Sequence, residues 1–168
     1  MIKIGELNDD DFFLLQELLD KNKGISDSEY KNLYIKHPYA TTVDGNPTLI
    51  LSSMKHYGLH DEQLNTFLIS NFATPGYELD FFYELTYNEG DYTKPHYDRE
   101  IAIQTTLVLL NDDFSGGELF IDETDVKFNK KKLYINFDGH KLKHSVNKVL
   151  SGKRIVLVIM FNKKQTLI

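Results

Sequence analysis

Apolar positions recur at two different spacings along this 168-residue chain, and the change of spacing divides it. Phe12, Leu15, Leu18 and Leu19 fall three and four residues apart, which lines them along one face of a helix. Asn8 or Asp9 is placed to cap that helix and Gly24 to close it. Ser26 and Glu29 have capping-box spacing for a second, short helix bearing Tyr30, Leu33 and Tyr34. A third helix, over about residues 61–72, buries Leu64, Phe67 and Leu68. Between the second and third, residues 37–47 carry Pro, Asp-Gly and Asn-Pro signals and read as a loop, either an ordered surface connection or a lid.

From Tyr77 the spacing shortens to two. Leu79, Phe81, Tyr83, Leu85 and Tyr87 alternate with mostly polar neighbours, the pattern of a half-buried strand. Strand-like runs follow at 101–110, 118–121, 132–137 and 154–161, separated by Asn-Asp, Gly-Gly, Asp-Gly and Ser-Gly turn signals. Many short strands after a helical lead-in predict a mainly β chain with N-terminal helices (α+β): a jelly roll, or double-stranded β-helix, packed by helices. The length fits a single domain over 1–168, with 1–76 as a helical support region and 77–168 as the jelly-roll core. No internal repeat interrupts it.

Composition narrows the chemistry. With no Cys, the chain has no disulfide framework, no thiolate zinc site and no Cys nucleophile, so a metal must be held by His, Asp or Glu in what is expected to be a reducing compartment. No apolar run reaches membrane-spanning length, and the expectation is a soluble, cytoplasmic protein. A formal charge of −6 works against attraction to a polyanion, so nucleic acid is not an expected partner, and the basic strip at 127–132 reads as a solvated hairpin face.

The chemistry-bearing residues are His96-Tyr97-Asp98, then His144, then Arg154. On a strand, His96 and Asp98 share a face while Tyr97 turns away, so two ligands reach one ion from adjacent positions. A third must come from a distant strand, and His140 and His144 are the candidates. His144 is favoured because residues 143–146 read as a strand, whereas His140 follows the Asp138-Gly139 turn. Two imidazoles and one carboxylate on one face of Fe(II) leave the opposite positions open. Arg154 is one of only two arginines, with Arg99, among 19 basic residues, and it opens the most apolar strand of the chain. A salt bridge to a buried acid would account for Arg154 taken alone; beside a His/Asp/His set, it suits the far carboxylate of a dicarboxylic acid. Lys153, on the other face, is the second choice.

With these residues in place, the chain resembles the iron(II)- and 2-oxoglutarate-dependent dioxygenases, and within them the prolyl 4-hydroxylase-like group. The match runs over about residues 83–161 and includes Tyr87-Asn88-Glu89-Gly90, Pro95-His96-Tyr97-Asp98, Leu110-Asn111-Asp112-Asp113-Phe114 and Gly116-Gly117-Glu118-Leu119. The resemblance implies that His96, Asp98 and His144 are the iron ligands and that Arg154 anchors 2-oxoglutarate. It also implies that Tyr87 lines the cosubstrate pocket. Leu109 stands where the group often has a tyrosine contacting the distal carboxylate, so Thr105 is the candidate for that second contact, and Met160 stands where a tryptophan is common. Fe(II), 2-oxoglutarate, O2 and ascorbate as reductant are the implied cofactors and cosubstrates. The implied reaction is hydroxylation of a peptide or protein residue, prolyl first, with succinate and CO2 as co-products. The alternatives are the same chemistry on a free amino acid or small molecule, and a non-catalytic jelly-roll module that binds a metal or ligand. The oligomeric state stays open.

Overall fold

Both helices among the described residues begin where a short polar side chain can replace a missing backbone partner. Asn8 caps α1 (Asp9–Asn22) by accepting the Asp11 amide at 2.8 Å, and Asp61 caps α2 (Glu62–Phe72) by accepting that of Leu64 at 3.1 Å. The computed structural model describes residues 2–22, 24–26, 41–42, 49–50, 53–98 and 103–163. The expected helix after Ser26 and the candidate lid at 37–47 lie outside the described residues, apart from Thr41 and Thr42, which are in a strand.

The strands make two main sheets. The larger has seven strands, ordered β1 (Lys3–Glu6), β12 (Leu133–Phe137), β8 (Ile103–Leu109), β15 (Arg154–Lys163), β6 (Tyr77–Tyr87), β5 (Ser53–His56) and β2 (Ile25–Ser26). The smaller has six: β11 (Thr124–Asp125), β10 (Leu119–Ile121), β13 (His144–Val146), β7 (Tyr92–Tyr97) and β3 (Thr41–Thr42), with β4 (Leu49–Ile50) also on β7. A separate pair joins β9 (Phe114–Gly116) to β14 (Val149–Gly152). All the recorded pairings are antiparallel. This is a jelly roll with helices against one face. Among the described residues, no helix is long and apolar enough to cross a membrane.

Central β15 explains its own composition. Val156, Val158 and Met160 enter the core between the sheets, while Leu157, Ile159 and Phe161 enter a second core with Phe12, Leu15 and Leu18 of α1 and Leu64 and Leu68 of α2. A strand covered on both faces reads as a continuous apolar run rather than an alternation.

The structure departs from the sequence expectations in two places. Strands β1 to β5 come from the first 76 residues and enter both sheets, so that region is not only helical. They are two to four residues long, too short to display a period. Leu79 does not share a face with Phe81. The pairing Met160 to Phe81 is followed by Phe161 to Leu79, so Asp80 is an extra residue on β6, and Leu79 packs on the helix side while Phe81 packs between the sheets. The expected strand at 101–110 is present as β8, Ile103–Leu109, with 101–102 outside the described residues.

Candidate metal centre

A second bulge positions the first ligand. His144 pairs with His96 and Val146 with Thr93, so three steps of β7 face two of β13. Pro95 lies in the extra step, where its missing N–H costs no ladder bond. The bulge returns both Thr93 and His96 to the buried face, although three residues separate them. His96 and His144 thus become direct cross-strand neighbours, with ring centroids 4.2 Å apart. Asp98 follows the end of β7, held by its amide donating to the Gly139 carbonyl at 2.7 Å.

His96, Asp98 and His144 present one ligand atom each within 4.8 Å of one another, all three residues being buried. Asp98 Oδ1 lies 3.2 Å from His144 Nε2 and 3.7 Å from His96 Nε2. Each ring turns its other nitrogen to a backbone carbonyl: His96 Nδ1 to Lys94 at 2.6 Å and His144 Nδ1 to Leu142 at 2.8 Å. A carbonyl only accepts, so the proton sits on Nδ1 and each neutral ring offers the Nε2 lone pair inward. This backbone support is what orients histidine ligands in metal sites.

The two imidazoles differ in charge preference. Burial, with the nearby His144, holds the His96 pKa down to about 4. At His144 burial also opposes the charge, but the carboxylate of Asp98, its hydrogen bond and the Leu142 carbonyl outweigh it and raise the pKa. Asp98 is likewise opposed by burial, yet His144 and the Thr105 hydrogen bond leave its pKa lowered.

These side chains line a cavity of about 50 Å³ whose other walls are largely apolar, including Leu85, Leu107, Leu119, Val156 and Val158. Arg154 and Tyr87 line it too. Arg154 is 0% exposed, and its three guanidinium nitrogens have no hydrogen-bond partner among the described residues. Its guanidinium carbon lies 4.9 Å from the centre of the Tyr87 ring, its cross-strand neighbour. Burial pushes the Arg154 pKa down, with the Tyr87 phenol opposing. Lys153 is exposed and lies outside the cavity.

Sequence reasoning missed what holds Arg154. The Asn111 side chain donates to the Lys153 carbonyl at 2.7 Å and accepts the Ile155 amide at 2.8 Å, bracketing residue 154 from either side. Gly117 leaves the space for its stem, since a Cβ there would lie 2.9 Å from Arg154 Cδ. Gly139 was legible only as a turn residue. A Cβ on it would collide with Asp98 Oδ2 and Thr105 Oγ1.

Thr105 is not where the resemblance implies. It pairs with Met160, six residues along β15 from Arg154; at ~3.3 Å per residue that is roughly 20 Å of strand. Its hydroxyl donates to Asp98 Oδ2 at 2.6 Å, so it serves the metal end of the cavity and not the guanidinium end. His140 is half-buried and is not a member of the ligand cluster.

The comparisons agree with this architecture. No protein-family model and no curated protein sequence matches the chain. Among solved structures, it is similar to a viral collagen prolyl hydroxylase of Paramecium bursaria Chlorella virus-1, crystallised with 2-oxoglutarate. The TM-score is 0.59 at 17% identity, covering 97% of this chain and 96% of that one. It is also similar to a Pseudomonas putida prolyl-4-hydroxylase, with TM-score 0.59, 15% identity and coverage of 98% and 93%. What this chain shares with them is the jelly-roll fold. A third chain of that fold is a Trichoplax adhaerens prolyl hydroxylase in complex with a peptide fragment of the hypoxia inducible factor oxygen degradation domain. Here the TM-score is 0.59 at 14% identity, with coverage of 96% and 83%. On this fold, His96, Asp98 and His144 form a group that could hold a metal ion.

The residues also fit both absent groups on chemistry alone. Two imidazoles and a carboxylate without thiolate suit Fe(II). A buried guanidinium without a partner suits a carboxylate.

Proposed function

We propose that the protein is an iron(II)- and 2-oxoglutarate-dependent hydroxylase acting on a peptide or protein residue, prolyl in the first instance. The observation that carries the reading is the unpartnered Arg154 guanidinium in the same cavity as the His96/Asp98/His144 cluster. A buried charge left unpaired costs several kcal/mol on the order usual for such groups, so its retention favours a ligand that completes it.

In this reading, His96, Asp98 and His144 would hold Fe(II), and Arg154 would grip the far carboxylate of 2-oxoglutarate. When bound, the pair lets O2 convert 2-oxoglutarate to succinate and CO2 while its second oxygen atom enters a substrate C–H bond as hydroxyl. The protein's own part is positional. The Lys94 and Leu142 carbonyls fix the ring tautomers, Asn111 fixes the backbone of the anchor, and the apolar walls limit water. Ascorbate would serve to keep iron reduced. The peptide assignment is supported by the prolyl hydroxylases among the structural neighbours, one of them crystallised with a peptide.

The test is succinate release from 2-oxoglutarate with and without Fe(II), repeated over a panel of proline-containing and proline-free peptides, with mass spectrometry for added oxygen. Iron-dependent succinate raised by proline peptides, with one oxygen gained on proline, is expected. Stimulation only by free amino acids or other small molecules would move the substrate, and metal binding without 2-oxoglutarate binding would end the enzyme reading.

A further inference from the structure

The two oxygens of the Asp98 carboxylate have different neighbours. Oδ1 faces the Nε2 atoms of His144 and His96, whereas Oδ2 accepts the Thr105 hydroxyl at 2.6 Å. Thr105 is 1% exposed, and its hydroxyl carries a single hydrogen. The other atom within its reach is Met160 Sδ at 3.6 Å, a far weaker acceptor than a carboxylate. Opposite Thr105, the Gly139 backbone closes on the same pair of oxygens, and no side chain larger than hydrogen fits there. Its carbonyl also accepts the Asp98 amide at 2.7 Å. Two separate segments, those of Thr105 and Gly139, thus converge on the oxygen that does not face the histidines.

We infer that Thr105, backed by Gly139, is a positioning residue that keeps Asp98 a one-oxygen metal ligand. The inference rests on the metal reading of the His96/Asp98/His144 cluster. A free carboxylate can chelate an ion through both oxygens and take an additional coordination position. An oxygenase centre with three protein ligands needs its other three positions for a chelating cosubstrate and O2. Engaging Oδ2 from the side keeps the third of these open. Simple satisfaction of a buried hydroxyl does not require this arrangement, since a backbone carbonyl would serve; nor does it require the glycine.

The experiment uses Mn(II) alone, titrated into wild type, Thr105→Val, Thr105→Ser and Gly139→Ala. Binding is followed by electron paramagnetic resonance, and exchangeable waters on the bound ion are counted by water-proton relaxation. Wild type and Thr105→Ser are expected to keep three exchangeable waters, and Thr105→Val to keep two. Thermal unfolding of each metal-free protein identifies any variant that has lost its fold. If Thr105→Val does not fold, Gly139→Ala tests the same contact from the opposite side and is expected to lose the same water. A folded Thr105→Val or Gly139→Ala with the full water count overturns the inference even if it binds Mn(II) more weakly, since weaker binding alone is what loosened packing would give. Wild type that takes up no Mn(II) overturns the metal reading itself; wild type that binds normally beside an unchanged variant overturns only the role of Thr105.

Discussion

Arg154→Met should move stability and cosubstrate binding in opposite directions. The substitution keeps the unbranched stem that packs against Gly117 and removes a guanidinium with three unpartnered, buried nitrogens. Replacing a buried charge by an apolar group of similar volume is neutral to stabilising by about 1–4 kcal/mol, and the missing partners place Arg154 in the upper part of that range. At about 2–4 °C per kcal/mol for a chain of this size, the metal-free variant should melt several degrees above wild type. The cosubstrate, by contrast, loses two charge-assisted hydrogen bonds of about 1.5–3 kcal/mol each, a hundred- to ten-thousand-fold fall in affinity on the order of 1.4 kcal/mol per decade. Thermal unfolding by circular dichroism and calorimetric titration of 2-oxoglutarate into the Mn(II)-loaded proteins measure both. At a hundredfold excess over its dissociation constant, 2-oxoglutarate should stabilise wild type by about 2.7 kcal/mol and leave the variant nearly unmoved. A variant that melts below wild type and binds 2-oxoglutarate equally well would mean that the guanidinium already has an internal partner and that the anchor lies elsewhere.

Three further outcomes follow from the same geometry. Asn111→Ala removes both backbone contacts beside Arg154 and should raise the 2-oxoglutarate requirement at least tenfold with metal affinity unchanged; equal losses in both would show general unfolding. His144→Ala should abolish Mn(II) binding while His140→Ala leaves it intact, since only the first belongs to the ligand cluster; the reverse pattern in a titration would reassign the third ligand. Metal affinity should fall about tenfold per pH unit as pH drops below the raised His144 pKa, because the ion must displace one proton held there by Asp98. His96, neutral down to about pH 4, adds no second proton above that point, so calorimetry in buffers of different ionisation enthalpy should find one proton released per ion and not two.

What could be read from the sequence was local in kind. The helical faces through Phe12, Leu15 and Leu18 and through Leu64 and Leu68 are buried as their spacing predicts, and β15 is the covered strand its apolar run suggests. His96 and Asp98 are legible from their two-residue spacing, His144 from the strand-like stretch around it, and Arg154 from the apolar run that it opens. Register was not legible, because it depends on partners far along the chain. The two-on-three bulge at Pro95 makes His96 and His144 neighbours, and the extra Asp80 turns Leu79 to the helices; neither leaves a trace in a period of two. Thr105 lines the cavity at its Asp98 end, because the β8–β15 register sets it opposite Met160 rather than near Arg154, and that register is not legible in the sequence. Gly139 carried an ordinary turn signal that gave no hint of the two oxygens packed against it.

The charges of the cavity are divided between its two ends. Asp98 is the carboxylate that lines the cavity, and the raised pKa of His144 lets a proton supply its counter-charge while no metal is bound. Arg154, at the other end, has no such internal partner. A divalent ion that displaces the His144 proton leaves the metal end with one positive charge over Asp98, and Arg154 contributes a second. Only a dianion spanning both ends brings that sum to zero, which a low-dielectric cavity requires far more strongly than water does. The Tyr87 phenol beside Arg154 offsets part of its desolvation but carries no charge, so the demand for a second carboxylate remains. Thr105, committed to Asp98 at the other end, takes no part in that balance.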